Sequence, residues 1–142
     1  MLKPLSFLLL LTCWVVAQPR TLRTVGRILP SHNERRPAVA TLHGKLFEAR
    51  AKVYVTDENT VRMRVEIINL AGSQAYYAMH GSVFEGGGLV LGSGGCNEVF
   101  HEKKKGQKST QQWDFVVTPV DRKNLRTFQI VLYEDTVFVG RR

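Results

Sequence analysis

An all-β domain, an antiparallel β-sandwich or barrel-like body behind a flexible basic N-terminal arm, is the fold class this sequence predicts. Three observations carry it. Apolar and polar residues alternate with period two from Ala38 onward, turn-forming clusters interrupt that alternation at roughly ten-residue spacing, and no stretch shows a helical period. The domain organisation that follows is a leader over 1–17, the arm over 18–37 and the β domain over 38–142.

The elements follow in order. In "AKVYVTD", Val53 and Val55 fall on one side and Lys52, Tyr54 and Thr56 on the other. "DENT" is a turn, rich in residues whose short polar side chains stabilise tight backbone geometry. "VRMRVEI" sets Val61, Met63, Val65 and Ile67 against Arg62, Arg64 and Glu66, a half-buried strand with one wet face. The two runs make a β-hairpin with a short loop or a bulge. After "NLAG", "SQAYYAMHGSVF" reads as an aromatic strand and "GLVL" as a short buried one. The glycine-rich run 86–96, "GGGLVLGSGGC", reads as a mobile surface loop. Residues 102–111 read as a charged loop, "WDFVVTP" as a strand, and "LRTFQIVLYEDTVFVG" as two strands broken around Glu134 and Asp135.

The N-terminus has the form of a secretory signal peptide. Lys3 supplies the positive region, Leu5 to Val16 the apolar core, and Val15 and Ala17 suit the cleavage positions before Gln18. The apolar run is shorter than the ~20 residues a membrane span needs. The expected location is therefore secreted and extracellular, with no transmembrane segment. The formal net charge is +8, one unit lower once Lys3 leaves with the leader, which favours acidic extracellular partners such as glycosaminoglycans or glycoproteins. Nucleic acid is not an expected partner of a secreted chain.

The arm, "QPRTLRTVGRILPSHNERRP", carries Arg20, Arg23, Arg27, Arg35 and Arg36 and is punctuated by prolines at 19, 30 and 37. It reads as a solvated leader, a polyanion-binding arm or a propeptide trimmed at Arg35–Arg36. Lys103, Lys104, Lys105 and Lys108 form a second basic cluster, and these with Arg35 and Arg36 are the candidate polyanion contacts. Arg141 and Arg142 end the chain.

Catalytic patterns are missing. His32, His43, His80 and His101 have no zinc-ligand spacing. Met79 and His80, both haem-ligand types, are adjacent and so fall on opposite faces of a strand. Ser93 is not in a nucleophile elbow, and the glycine run lacks the lysine and helix of a phosphate loop. No cofactor and no metal site follow from the residues, and the reading leans away from an enzyme. Of the two cysteines, Cys13 lies in the leader, so Cys96 has no intrachain partner. Three roles stay open to it: an intermolecular disulfide joining a homodimer, a reactive redox thiol, or an inert buried one.

The order of "ARAKVYVTDENTVRMRV", "LAGSQAYYAMHG", "GGLVL" and "DFVVTPVDRKNLRTFQIVLYEDTVFVG", over about residues 43–140, resembles the DM-thirteen domain family of extracellular animal proteins. The matching positions are Asp57, Glu58 and Thr60 in the turn, Gln74, Ala75, Tyr76 and Tyr77 in the aromatic strand, and Thr118, Pro119, Val120 and Asp121 in the later turn. The resemblance implies a sandwich-like extracellular domain. It also implies an electron-transfer role tied to a cysteine in the penultimate strand. Here Tyr133 or Glu134 stands at that place, Ala51 replaces an expected glycine, and Cys96 lies too early to inherit the role. The expected function is a secreted, non-enzymatic binding domain of matrix or cell surface. The alternative is an extracellular redox module using a thiol or bound haem.

Overall fold

The computed structural model describes residues 19–57, 59–71, 75–100 and 105–136. The leader 1–17 lies outside them. Eight strands and one short helix follow in chain order: β1 (Arg20–Arg27), β2 (Ala38–His43), β3 (Phe47–Asp57), β4 (Thr60–Asn69), β5 (Ala75–Glu85), β6 (Val90–Phe100), β7 (Lys108–Val116), α1 (Pro119–Lys123) and β8 (Leu125–Thr136). They form two four-stranded sheets, ordered β1-β8-β5-β6 and β2-β3-β4-β7, with every pairing antiparallel. The fold is the expected sandwich.

Alternation builds the core. Phe47, Ala49, Ala51 and Val53 of β3 and Val61, Met63, Val65 and Ile67 of β4 turn inward from one sheet. Tyr77, Met79 and Val83 of β5 and Phe128, Ile130 and Leu132 of β8 meet them from the other. Burial of this apolar surface, worth about 25 cal/mol per Å², is the main force holding the layers together.

A buried acid joins the two sheets. Glu134 of β8 is 1% exposed, and its carboxylate accepts from the backbone N–H groups of Lys45 (2.8 Å), Leu46 (3.1 Å) and Phe47 (3.0 Å). Those donors belong to the turn between β2 and β3, in the opposite sheet. A side chain at Gly44 would strike the same carboxylate, 2.7 Å from its Cδ, which accounts for glycine there.

The glycine-rich run 86–96 is a turn over its first four residues, with Gly88 at positive φ, and from Val90 onward an edge strand and not a loop. Gly92 and Gly94 of β6 face inward, where a Cβ would lie 2.8 Å from the Cβ of Phe115 and 2.6 Å from Cδ1 of Trp113. Glycine there gives room to β7's aromatic rings, and the positive-φ glycines among the described residues are Gly88 and Gly106 instead. "GLVL" is likewise no buried strand: Leu89 and Val90 are exposed at the start of β6. Three further expectations change. Residues 20–27 of the basic arm form β1, paired along its whole length with β8, and Ile28 behind it is fully buried. The charged loop ends early, since β7 begins at Lys108. Glu134 and Asp135 do not break the last segment, which is one strand through Thr136.

Two stability measurements check this description. Glu134→Ala leaves three donors facing a void and should lower unfolding free energy by about 3 kcal/mol or more in urea titrations, with Glu134→Gln losing less. Gly94→Ala forces Trp113 to move and should cost about 1–3 kcal/mol by the same method. Gly87→Ala, where the added Cβ meets only the flexible end of Glu85 at 3.1 Å, should be near neutral.

Candidate anion-binding face

The outer face of the β2-β3-β4-β7 sheet collects charge because its inner face takes the apolar half of each alternation. Register arranges it in rows. His43, Glu48, Ile68 and Lys108 lie side by side; then Thr41, Arg50, Glu66 and Thr110; then Val39, Lys52, Arg64 and Gln112; then Tyr54, Arg62 and Asp114.

Most of these charges are matched. Arg50 Nε donates to Glu48 Oε1 at 2.6 Å, and Lys108 Nζ lies 3.9 Å from Glu66 Oε1. Arg62 grips Asp114 with two parallel bonds, Nε at 2.8 Å and Nη2 at 3.0 Å. That contact, with a hydrogen bond to Tyr54, holds the Arg62 guanidinium protonated, and Arg62 in turn holds the Asp114 carboxyl below its ordinary range. Lys52 and Arg64 differ. They stand directly opposite each other on β3 and β4 and make no ion pair among the described residues. Like charges in that position repel, and an anion seated between them relieves the repulsion.

Both cations line a cavity of about 500 Å³ together with Arg50, Tyr54, Glu66, Thr110 and Glu34. Glu34 comes from the turn between β1 and β2, which folds over the sheet. Val55 N–H donates to the His32 carbonyl at 2.9 Å, and Asn33 Oδ1 accepts from the Arg35 and Arg36 N–H groups at 3.0 Å each. This turn covers Tyr54, which is 4% exposed although it points away from the core. A second groove runs along it between Asn33, Glu34, Arg35, Tyr54 and Arg62.

The sequence-predicted contacts are partly brought together. Arg35 borders the groove beside Tyr54, and Lys108 stands in the end row of the same face. Arg36 and Lys105 are exposed nearby in sequence but line none of these cavities. Lys103, Lys104, His101, Arg141 and Arg142 lie outside the described residues. The central pair, Lys52 and Arg64, was missed as a site. The signal was present in two cations on the wet side of one hairpin, and only the register aligns them.

Cys96 sits in β6 opposite Met79 with its side chain against the core. Beside it, Tyr77 Oη donates to Glu98 Oε2 at 2.9 Å and accepts from Gln111 Nε2 at 3.2 Å. Burial pushes the Cys96 thiol up; contact with Tyr77 opposes this and the charge of Glu98 adds to it. Burial likewise pushes the Tyr77 phenol above its ordinary value. A thiol held protonated is a weak nucleophile. Met79 is buried and its neighbour His80 exposed, so the two do not converge.

No family model matches the chain, and no curated protein matches it. Among solved structures, the trimeric lipoprotein SadB of Salmonella enterica is 11% identical over 76% of this chain, with a TM-score of 0.43. The chain spans 59% of the SadB chain's length. A DUF1425 family member from Shewanella sp. pv-4 is 12% identical, with a TM-score of 0.36 over 81% of this chain and 99% of that one. A chain of infectious bursal disease virus, Gx strain, is 8% identical, with a TM-score of 0.37 over 87% of this chain and 28% of that one. Likeness at this level carries neither family nor function.

The raised Cys96 and Tyr77 groups set a pH dependence. Above the unfolded-state values of about 8.5 for cysteine and 10 for tyrosine, the unfolded chain binds fewer protons than the folded one. Stability should hold up to about pH 8 and fall as pH rises beyond it. Urea midpoints across that range test this, and Cys96→Ser should remove the early part of the fall.

Proposed function

We propose that this protein is a non-enzymatic extracellular binding module whose basic sheet face engages an acidic partner, with sulfated glycosaminoglycan as the best-fitting class. The observation that carries the reading is the Lys52–Arg64 rung, without an ion pair among the described residues, flanked by Arg50 and Arg62 in the neighbouring rows, with Arg35 in the adjoining groove. A linear polyanion laid over such rows replaces repulsion by attraction at each free cation, and long-range charge steers it there. Secretion through the 1–17 leader and the DM-thirteen resemblance belong to the same proposal. The redox alternative draws no support from Cys96, whose thiol is packed inward and held protonated.

Heparin affinity chromatography tests the reading. The wild-type protein should be retained at physiological salt and released by moderate salt. Lys52→Glu/Arg64→Glu should elute at clearly lower salt, whereas Arg23→Glu/Arg27→Glu, the same charge change on β1 of the other sheet, should elute much closer to wild type. Equal losses in both variants would reduce the interaction to net charge and sink the site.

A further inference from the structure

We propose that β6 is a pairing edge for a second copy of this chain, joining two β1-β8-β5-β6 sheets into one continuous eight-stranded sheet. An edge strand presents a row of unpaired backbone donors and acceptors, and folded proteins guard such rows with charges, prolines, bulges or short length. Among the described strands, three of the four sheet edges are guarded. β1 carries Arg20, Arg23 and Arg27, β7 carries Lys108 and Asp114, and β2 is only six residues long. β6 runs for eleven residues with no proline and a single charged side chain, Glu98. That carboxylate is already bound to Tyr77, at 2.9 Å, on the inner face.

The strand fits itself. Its one irregularity, where Leu91 is the extra residue between the Val83–Gly92 and Phe84–Val90 pairs, leaves a regular stretch from Gly92 to Phe100. Gly95 lies within that stretch, with three paired residues on its N-terminal side and five on its C-terminal side. A two-fold axis through Gly95, perpendicular to the sheet, sets Ser93 opposite Asn97 on the outer face and Gly94 opposite Cys96 on the inner. Ser93, Gly95 and Asn97 are exposed, and the polar Ser93–Asn97 rung is suited to hydrogen bonding. On the inner side Gly94 is already covered by the Trp113 ring, whose Cδ1 lies 2.6 Å from where a Cβ would be, so no inward side chain stands at that rung.

The same axis keeps each sandwich's outer faces on their original side. Both Lys52–Arg64 rungs therefore face the same way, and one polyanion can bridge them; this consequence rests on the proposed function, whereas the pairing itself does not. Two linked sites turn the second contact into an intramolecular one and raise apparent affinity without any new contact.

Sedimentation equilibrium of the full chain in reductant, with circular dichroism to confirm folding, tests the pairing. Wild type should show twice the monomer mass. Ser93→Lys/Asn97→Lys places lysines opposite each other on both sides of the axis and should halve that mass. Ser93→Lys/Asn97→Glu restores opposite charges across the ladder and should recover the dimer. A monomeric wild type, equal masses for the two variants, or a dimer seen only without reductant would each overturn the proposal. Heparin retention separates the two readings. If Ser93→Lys/Asn97→Lys is monomeric and elutes at lower salt despite its added positive charge, the bridging consequence stands; if it elutes at or above the wild-type salt, that consequence falls. A wild-type dimer with no retention supports the edge and removes the basic face as a site.

Discussion

The rest of this sandwich depends on one buried carboxylate. Glu134 takes three backbone N–H groups from the turn between β2 and β3, and those groups are otherwise stranded where β3 enters the core. The interaction ties the last strand of one sheet to the first hairpin of the other, across 87 to 89 residues of chain. It decides local sequence on both sides. Gly44 must be small to admit the acid, and Phe47 is drawn down against Tyr77, with ring centroids 5.3 Å apart in an edge-to-face pair. A charge inside a protein is stable only when its hydrogen-bonding capacity is met, and a cluster of aligned amides meets it well.

The opposite end of the sandwich, between β6 and β7, is shaped by the absence of side chains. Gly92 and Gly94 let Phe115 and Trp113 press against the backbone of β6, and Gly81 leaves similar room for the sulfur of Met63. One end is closed by a polar contact and the other by aromatic rings over glycine. Between them lies the charged outer face of the β3–β4 hairpin. No lone residue makes it. It arises from register.

Much of this was legible in the sequence. The β3–β4 hairpin, its inner Val61-Met63-Val65-Ile67 face and the aromatic start of β5 follow from period-two alternation alone. β1 was hidden because its inward positions are Leu22, Thr24 and Gly26, with one large apolar residue among them. β6 was hidden because glycine is a poor strand former, and its reason for being there is an aromatic ring in another sheet. Glu134 followed by Asp135 reads as a turn, and the donors that make a strand acid tolerable are far away in sequence. The basic rung has a subtler cause. Asp57 pairs with Thr60 at the hairpin's end, a spacing that would set outward Lys52 against inward Val65; the bulge between Val55 and Asp57 shifts the ladder by one and delivers Arg64 instead.

The chain passes from β1 in one sheet to β2 in the other through the exposed turn that carries Arg35 and Arg36. A protease that opened that turn would not shorten the molecule. The severed segment would still hold eight backbone-paired residues on β8 and Ile28 in the core. The product would be a two-chain protein with a new amino terminus beside Tyr54, next to the basic rows. Peptide-bond cleavage and loss of the N-terminal segment are thus separate events in this architecture, and denaturing electrophoresis would report the first while the native mass stayed unchanged.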